Sequence, residues 1–364
     1  MGFNCGIIGL PNVGKSTIFN ALTSAHAEVA SYPFCTIKPN IGIVKVPDKR
    51  LDKIAEIIKP DRVVHTTTEF VDIAGLVRGA SKGEGLGNQF LGNIRNVDAV
   101  IHVLRSFKEE DIAHVEGSID PLRDMKLVNT ELIFADLETV EKRIEKNERL
   151  SKIADKKLAE SLNLLHRVKE SLDSGTPVRK LNLNNDETEN LKELFFLTQK
   201  PTLYVVNIDE NDINSRTDNL AKIEQEAQKE GAKVIPICGR LESEIAQLPL
   251  KERGPFLRDM GIEDSGLEKI IKAGYELLDL ITFFTTQGPE VRAWTVKRGT
   301  NAQKAAGKIH SDFEKGFIKA DIYSYKDLVT LGSEQEIKEK GVLRVEGKEY
   351  EVKDGDIIHF KFHV

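Results

Sequence analysis

Gly9-Leu10-Pro11-Asn12-Val13-Gly14-Lys15-Ser16 has the spacing GxxxxGK[ST] directly after an apolar run, Cys5 to Ile8, short enough for a buried strand. The loop glycines permit backbone torsions that other residues avoid. Successive N–H groups can therefore turn inward round a phosphate at the start of the next helix, read here from Lys15 to about Ser24. Lys15 would stand between the terminal phosphates as a point charge, and Ser16 would offer its hydroxyl to magnesium. Asn12, Val13, Gly14 and Thr17 complete the cradle. The same stretch could be an ordinary glycine-rich strand-to-helix turn. A lysine and a serine standing where the chemistry needs them argue instead for a nucleoside triphosphate.

A second set of residues bears on the γ-phosphate. Thr67 to Val71 reads as a strand that delivers Asp72-Ile73-Ala74-Gly75 to its carboxyl end, where ligands of open α/β sheets bind. Asp72 can reach magnesium through water, and the Gly75 N–H can approach the γ-phosphate because no Cβ intervenes. Leu76 follows, where many GTPases carry a glutamine that orients the attacking water. A leucine cannot polarise water, so activation must come from a main-chain group, a cation, another side chain or the substrate phosphate. Ser31 to Asn40 is a proline-punctuated loop placed like a first switch. Thr36 is its candidate to close over magnesium, against the alternative of an incidental surface threonine. Gly79 to Gly92 carries five glycines and reads as a mobile second switch. His114, in the charged stretch Lys108 to Glu116, is either a general base or a solvated histidine. His102 alternates into the apolar strand Asp98 to Val103 and reads as a satisfied core or rim histidine.

The base-reading end is less regular. Thr202 to Val206 is a buried strand running into Asn207-Ile208-Asp209-Glu210, where a GTPase carries NKxD. In NKxD the aspartate accepts two hydrogen bonds from guanine and the lysine stem covers the base. Here Glu210 is a methylene longer and Ile208 replaces the lysine. Each misaligned charged hydrogen bond costs about 1.5–3 kcal/mol, enough to erase a preference for GTP. Asn207 can still meet either purine. A further strand, Ala232 to Ile237, leads into Cys238-Gly239-Arg240, whose backbone groups could line the base pocket.

These loops need a mostly parallel α/β sheet to hold them, and 364 residues provide for two or three domains. A formal net charge of -6 argues against wholesale nucleic-acid coating. Cys5, Cys35 and Cys238 form neither a CxxC pair nor an even disulfide framework, which suits a reducing compartment and a cytoplasmic protein. No apolar run reaches the roughly 18 residues of a membrane span, so no membrane partner is expected. The nucleotide-binding domain is read over 1–128 and 200–280. Between them, 129–199 is a charged helical insertion whose leucine seam, Leu158, Leu162, Leu165 and Leu172, suggests a hairpin turning near Arg149 to Ile153. The tail, 281–364, reads as a small mixed sheet crossed by a helix over Asn301 to Phe313. Residues 291–326 hold eight Lys or Arg against three Asp or Glu, and 327–364 hold six against nine. That asymmetry suits RNA or is an ordinary solvated face.

Together GLPNVGKS, YPFCTI, DIAGL, GASKGEGLGNQFL and NxxE resemble the YchF family, the Obg-like ATPases among translation-factor-related P-loop NTPases. The resemblance spans nearly the whole chain. It implies that 129–199 is a coiled-coil domain and that 281–364 is a ubiquitin-like β-grasp TGS domain. It also implies a protein that hydrolyses ATP, accepts GTP and associates with the ribosome or RNA; a monomer is expected. Family members replace the catalytic glutamine by a hydrophobic residue, as Leu76 does. Relatives of that kind often use potassium held partly by a P-loop asparagine, and Asn12 matches that position. Two classes of function stay open: a slow magnesium-dependent triphosphatase that resets a switch, and a nucleotide-gated adaptor whose hydrolysis is incidental.

Overall fold

The computed structural model describes residues 3–26, 40–75, 86–109, 114, 117–150 and 156–363. Thr36, Leu76 and the glycine-rich run up to Gly85 lie outside the described residues. In chain order the strands are β1 (Asn4–Ile8), β2 (Asn40–Lys45), β3 (Arg62–Val64), β4 (Thr67–Asp72), β5 (Ala99–Arg105), β6 (Thr202–Asn207), β7 (Lys233–Ile237), β8 (Leu280–Thr285), β9 (Glu290–Lys297), β10 (Phe317–Ser324), β11 (Arg344–Glu346) and β12 (Asp356–Phe362). The helices are α1 (Lys15–His26), α2 (Lys49–Ile58), α3 (Leu86–Arg95), α4 (Pro121–Leu150), α5 (Lys156–Asp173), α6 (Asn185–Leu191), α7 (Asp218–Lys229), α8 (Gly239–Gln247), α9 (Leu250–Asp259), α10 (Gly266–Leu277), α11 (Ala302–Ile309), α12 (Ser311–Lys315), α13 (Tyr325–Leu331) and α14 (Glu334–Glu339).

The chain divides into two compact units, 1–44 with 69–270 and 45–68 with 271–364. The first is built on a sheet of order β2-β4-β1-β5-β6-β7, in which β1 pairs in parallel with β4 and β5, and β6 in parallel with β5 and β7. Every residue of β5 and β6 is buried, the pattern of parallel strands covered on both faces. Parallel strands end on the same side of the sheet, so the segments after β1, β4, β5, β6 and β7 all emerge there.

Two local expectations change in this unit. The stretch read as a mobile second switch is helical from Leu86 onward, because Phe90, Leu91 and Ile94 turn into the core. Their burial outweighs the cost of about 1 kcal/mol for each of Gly87 and Gly92. The helical insertion starts at Pro121 rather than 129, with the proline at the first helical position, where its missing N–H costs nothing. Within it, Asn147 meets Ser161 and Glu141 meets Lys169, so α4 and α5 run antiparallel around Val140, Ile144, Leu165 and Val168. At its base, buried Asp136 accepts hydrogen bonds from the Leu197 and Thr198 N–H groups, each 2.8 Å, and from the Thr198 hydroxyl. Burial pushes that carboxyl up to about 6.

In the second unit the sheet order is β11-β10-β12-β8-β9-β3 with mixed directions. Strand alternation sends Ile281, Phe283, Val296, Ile322 and Phe360 to one face, under α11. It sends Phe284, Val291, Ala293, Tyr323 and Ile357 to the other, under α2, α13 and α14. The segment 45–68, read from sequence as part of the nucleotide-binding domain, therefore packs with the C-terminal unit: Leu51 and Ile54 of α2 join that second core, and β3 pairs in parallel with β9. Arg50 latches it. Its guanidinium donates to Asp48 (2.8 Å) and Asp354 (2.7 Å) and lies 5.4 Å from the Phe284 ring centroid. These carboxylates hold the guanidinium above its ordinary pKa even though burial opposes the charge. The helix expected over Asn301 to Phe313 is broken at His310, whose backbone is extended and whose Nδ1 accepts the Asp312 N–H that opens α12.

Candidate functional site

The loop between β1 and α1 takes its shape from three residues of positive φ: Gly9 (152°), Asn12 (62°) and Gly14 (93°). At Gly14 a Cβ would stand 2.3 Å from Asn207 Nδ2, so only glycine fits. Lys15, only 9% exposed, folds its Nζ back to donate to the Leu10 carbonyl at 3.3 Å. Burial lowers its pKa, and the nearby Asp72 carboxylate raises it in part. A buried ammonium with one carbonyl partner at that distance is set to be met by anions.

The end of β4 meets this loop. Ser16 Oγ donates to Asp72 Oδ2 at 3.5 Å, and a Cβ on Gly75 would lie 3.2 Å from both Lys15 Nζ and the Pro11 nitrogen. The serine hydroxyl, the carboxylate and the lysine thus converge, as their motifs required. Among the described residues no three His, Cys, Asp or Glu side chains cluster to hold a metal by themselves. Ser16 and Asp72 are nevertheless hard oxygen donors of the kind that hold Mg2+ together with substrate phosphates. The residues present fit that ion.

Asn207 joins the two ends of the site. Its Nδ2 donates to the Val13 carbonyl and its Oδ1 accepts the Gly239 N–H, both at 3.0 Å, so the P-loop and the ends of β6 and β7 are tied through one buried side chain. Val13 and Gly239 therefore serve as anchors. Beside them opens a cavity of about 1120 Å³, large enough for a nucleotide. Asn12, Gly14, Lys15, Ser16 and Thr17 line it from the P-loop and the start of α1, and Ile208, Asp209, Glu210 and Cys238 from the ends of β6 and β7. Burial raises the Cys238 thiol, which keeps it protonated.

His114 is placed differently from either sequence reading. Its Nε2 lies 2.8 Å from Asp124 Oδ2 at the start of α4, both side chains are buried, and it does not line the cavity. His102 is a core residue, but neither ring nitrogen has a hydrogen-bond partner among the described residues, and burial drives its pKa down to about 3. Arg240, expected beside Cys238, does line the cavity, which also has lining that motif reading missed: Phe107, Lys108 and Glu109 after β5, and Ser243 and Glu244 on α8. The available signal was Arg105, a charged residue closing a strand that is otherwise apolar save for His102.

Comparisons with known proteins place the chain among relatives. Residues 4–136 match a family described as "50S ribosome-binding GTPase", and residues 280–363 match the YchF-GTPase C-terminal family, described as a protein of unknown function. The chain is 52% identical to the "Ribosome-binding ATPase YchF" of Haemophilus influenzae and 51% identical to that of Bacillus subtilis, each over the full length of both chains. The solved structure of the Schizosaccharomyces pombe YchF GTPase matches with a TM-score of 0.89 at 38% identity, covering 99% of this chain and 98% of that one. With a P-loop and an NxxE strand end lining one cavity, a DxxG strand end against the P-loop, and relatives of this similarity along its whole length, the chain belongs to the YchF family.

Proposed function

We propose that this chain is a magnesium-dependent nucleoside triphosphatase that hydrolyses ATP, accepts GTP, and acts as a ribosome-associated switch in the cytoplasm. The observation that carries it is the convergence of Lys15, Ser16, Asp72 and Gly75 beside a nucleotide-sized cavity that Lys15 and Ser16 line together with Ile208 and Glu210, which stand where a guanine-reading site has lysine and aspartate. The names of the full-length relatives, ribosome-binding ATPases, support the substrate and the partner.

In the reaction water attacks the γ-phosphorus, the bond to the β–γ bridging oxygen breaks, and the diphosphate leaves with the bond's electrons. Lys15 offsets the charge that gathers on the phosphate oxygens, and the Gly75 N–H donates to the γ-phosphate. Ser16, and Asp72 through water, would hold Mg2+, with Thr36 the candidate to complete its shell, and the ion would supply further charge neutralisation. Asn12, which lines the cavity, would offer oxygen to potassium, the candidate second cation. Leu76 supplies no general base, so slow turnover follows.

The hairpin 129–199 and the tail 281–364, read as a TGS domain, each offer partner contacts in a monomer, and the tail's positive charge is the part that meets RNA. Two pairings temper that charge: Arg298 donates to Asp279 at 3.0 Å, and Arg292 lies 3.7 Å from Glu290. Among the described residues no helix is long and apolar enough to cross a membrane. The test is phosphate release from ATP with and without ribosomes. Stimulated turnover is expected, and turnover indifferent to ribosomes would leave a nucleotide-gated adaptor instead.

A further inference from the structure

The lining just past β5 belongs to no nucleotide motif, yet its backbone is tied down. Phe107, Lys108 and Glu109 form it, in irregular backbone just past β5. Three groups fix that backbone. The Ser106 N–H donates to the Asn207 carbonyl at 2.8 Å. The Lys108 N–H donates to Asp209 Oδ2 at 3.1 Å. The Arg105 guanidinium, 1% exposed, donates from Nε to the Phe107 carbonyl and from Nη2 to the Glu109 carbonyl, both at 3.3 Å. It also lies 4.5 Å from the centroid of the Phe107 ring.

Asn207-Ile208-Asp209-Glu210 thereby divides its work in a way the motif does not announce. Asn207 secures the phosphate loop and Gly239, while Asp209 secures the facing wall. Burying a guanidinium in a loop is costly unless its donors are satisfied, and here Nε and Nη2 are spent on the carbonyls of the two residues flanking Lys108. With the phosphates assigned to Lys15 and Ser16, this wall stands where the nucleoside must lie.

We propose that Arg105 and Asp209 are positioning residues for the nucleobase: together they clamp Phe107–Glu109 into a rigid wall that a purine ring fills and a pyrimidine does not. This rests on the nucleotide-binding reading above and extends it to the class of base. Neither residue touches the phosphates, so the clamp acts on base selectivity and not on triphosphate affinity in general.

The test is displacement of a fluorescent ATP analogue by ATP and by CTP, with magnesium, from the full-length protein and its variants. The parent should bind ATP more tightly than CTP. Asp209→Ala, at a partly exposed position, should lower that ratio by about tenfold, the value of one lost charge-assisted hydrogen bond. Asp209→Asn keeps an acceptor oxygen and should restore most of it. Arg105→Gln should lower the ratio at least as far, and thermal melting reports whether this buried substitution folds. Lys15→Ala should weaken both nucleotides and leave the ratio intact. A parent without preference, a ratio unmoved by Asp209→Ala, or an Asp209→Asn variant as impaired as the alanine would overturn the proposal. A parent that binds neither nucleotide would instead overturn the function on which it rests.

Discussion

The two ends of the cavity solve different problems with different materials. At the proposed phosphate end, consecutive residues from Gly9 to Thr17 form the loop, and its backbone is what a phosphate would meet, with Gly14 needed because of its φ of 93° and its approach to Asn207. At the base end, short pieces after β5, β6 and β7 contribute side chains, and buried polar groups hold them. A triphosphate is the same in every nucleotide, so one local loop suffices for it. A base differs between nucleotides, so its recognition is spread over strand ends that can vary separately.

That contrast breaks most visibly at Lys15. Lys15→Ala should abolish turnover of ATP and GTP alike while the fold persists, measured by phosphate release alongside circular dichroism. A folded variant turning over at the parental rate would remove the phosphate-end assignment. Gly14→Ala comes next. Its Cβ would be forced to within 2.3 Å of Asn207 Nδ2, so the loop must deform and untie the asparagine that bridges both ends. Affinity for both nucleotides should fall by about a hundredfold, the scale of backbone strain plus one lost hydrogen bond. Loss of only one nucleotide would show that the ends are not joined there. A smaller and selective effect should follow from Ile208→Lys with Glu210→Asp, which restores the guanine-reading pair. The GTP-to-ATP affinity ratio should rise by about tenfold with the phosphate end untouched. An unchanged ratio in competition binding would mean that base choice is made elsewhere, and the wall at Phe107–Glu109 is the place to look.

Legibility in the sequence follows the same division. The P-loop, Asp72 with Gly75, and the ends of β6 and β7 were readable because each is a short motif directly after an apolar run. Arg105 and Asp209 were not, because their work is done through backbone partners outside any motif. His114 looked like a loop histidine because nothing local marks Asp124 as its partner. The placing of 45–68 fails for a related reason. Leu51 and Ile54 announce an amphipathic helix, but the surface they cover, Phe284, Val291 and Tyr323, comes more than two hundred residues later. Alternation along β8 to β12 could reveal that the tail sheet has two apolar faces, not which helix closes the second.

The central claim is that the phosphate end demands a triphosphate while the base end has given up selection for guanine. Competition between ATP and GTP for the unmodified protein, with magnesium present, tests it most directly. ATP should bind at least as tightly as GTP. A preference for GTP of about a hundredfold, equivalent to two intact charged hydrogen bonds to guanine, would contradict the account.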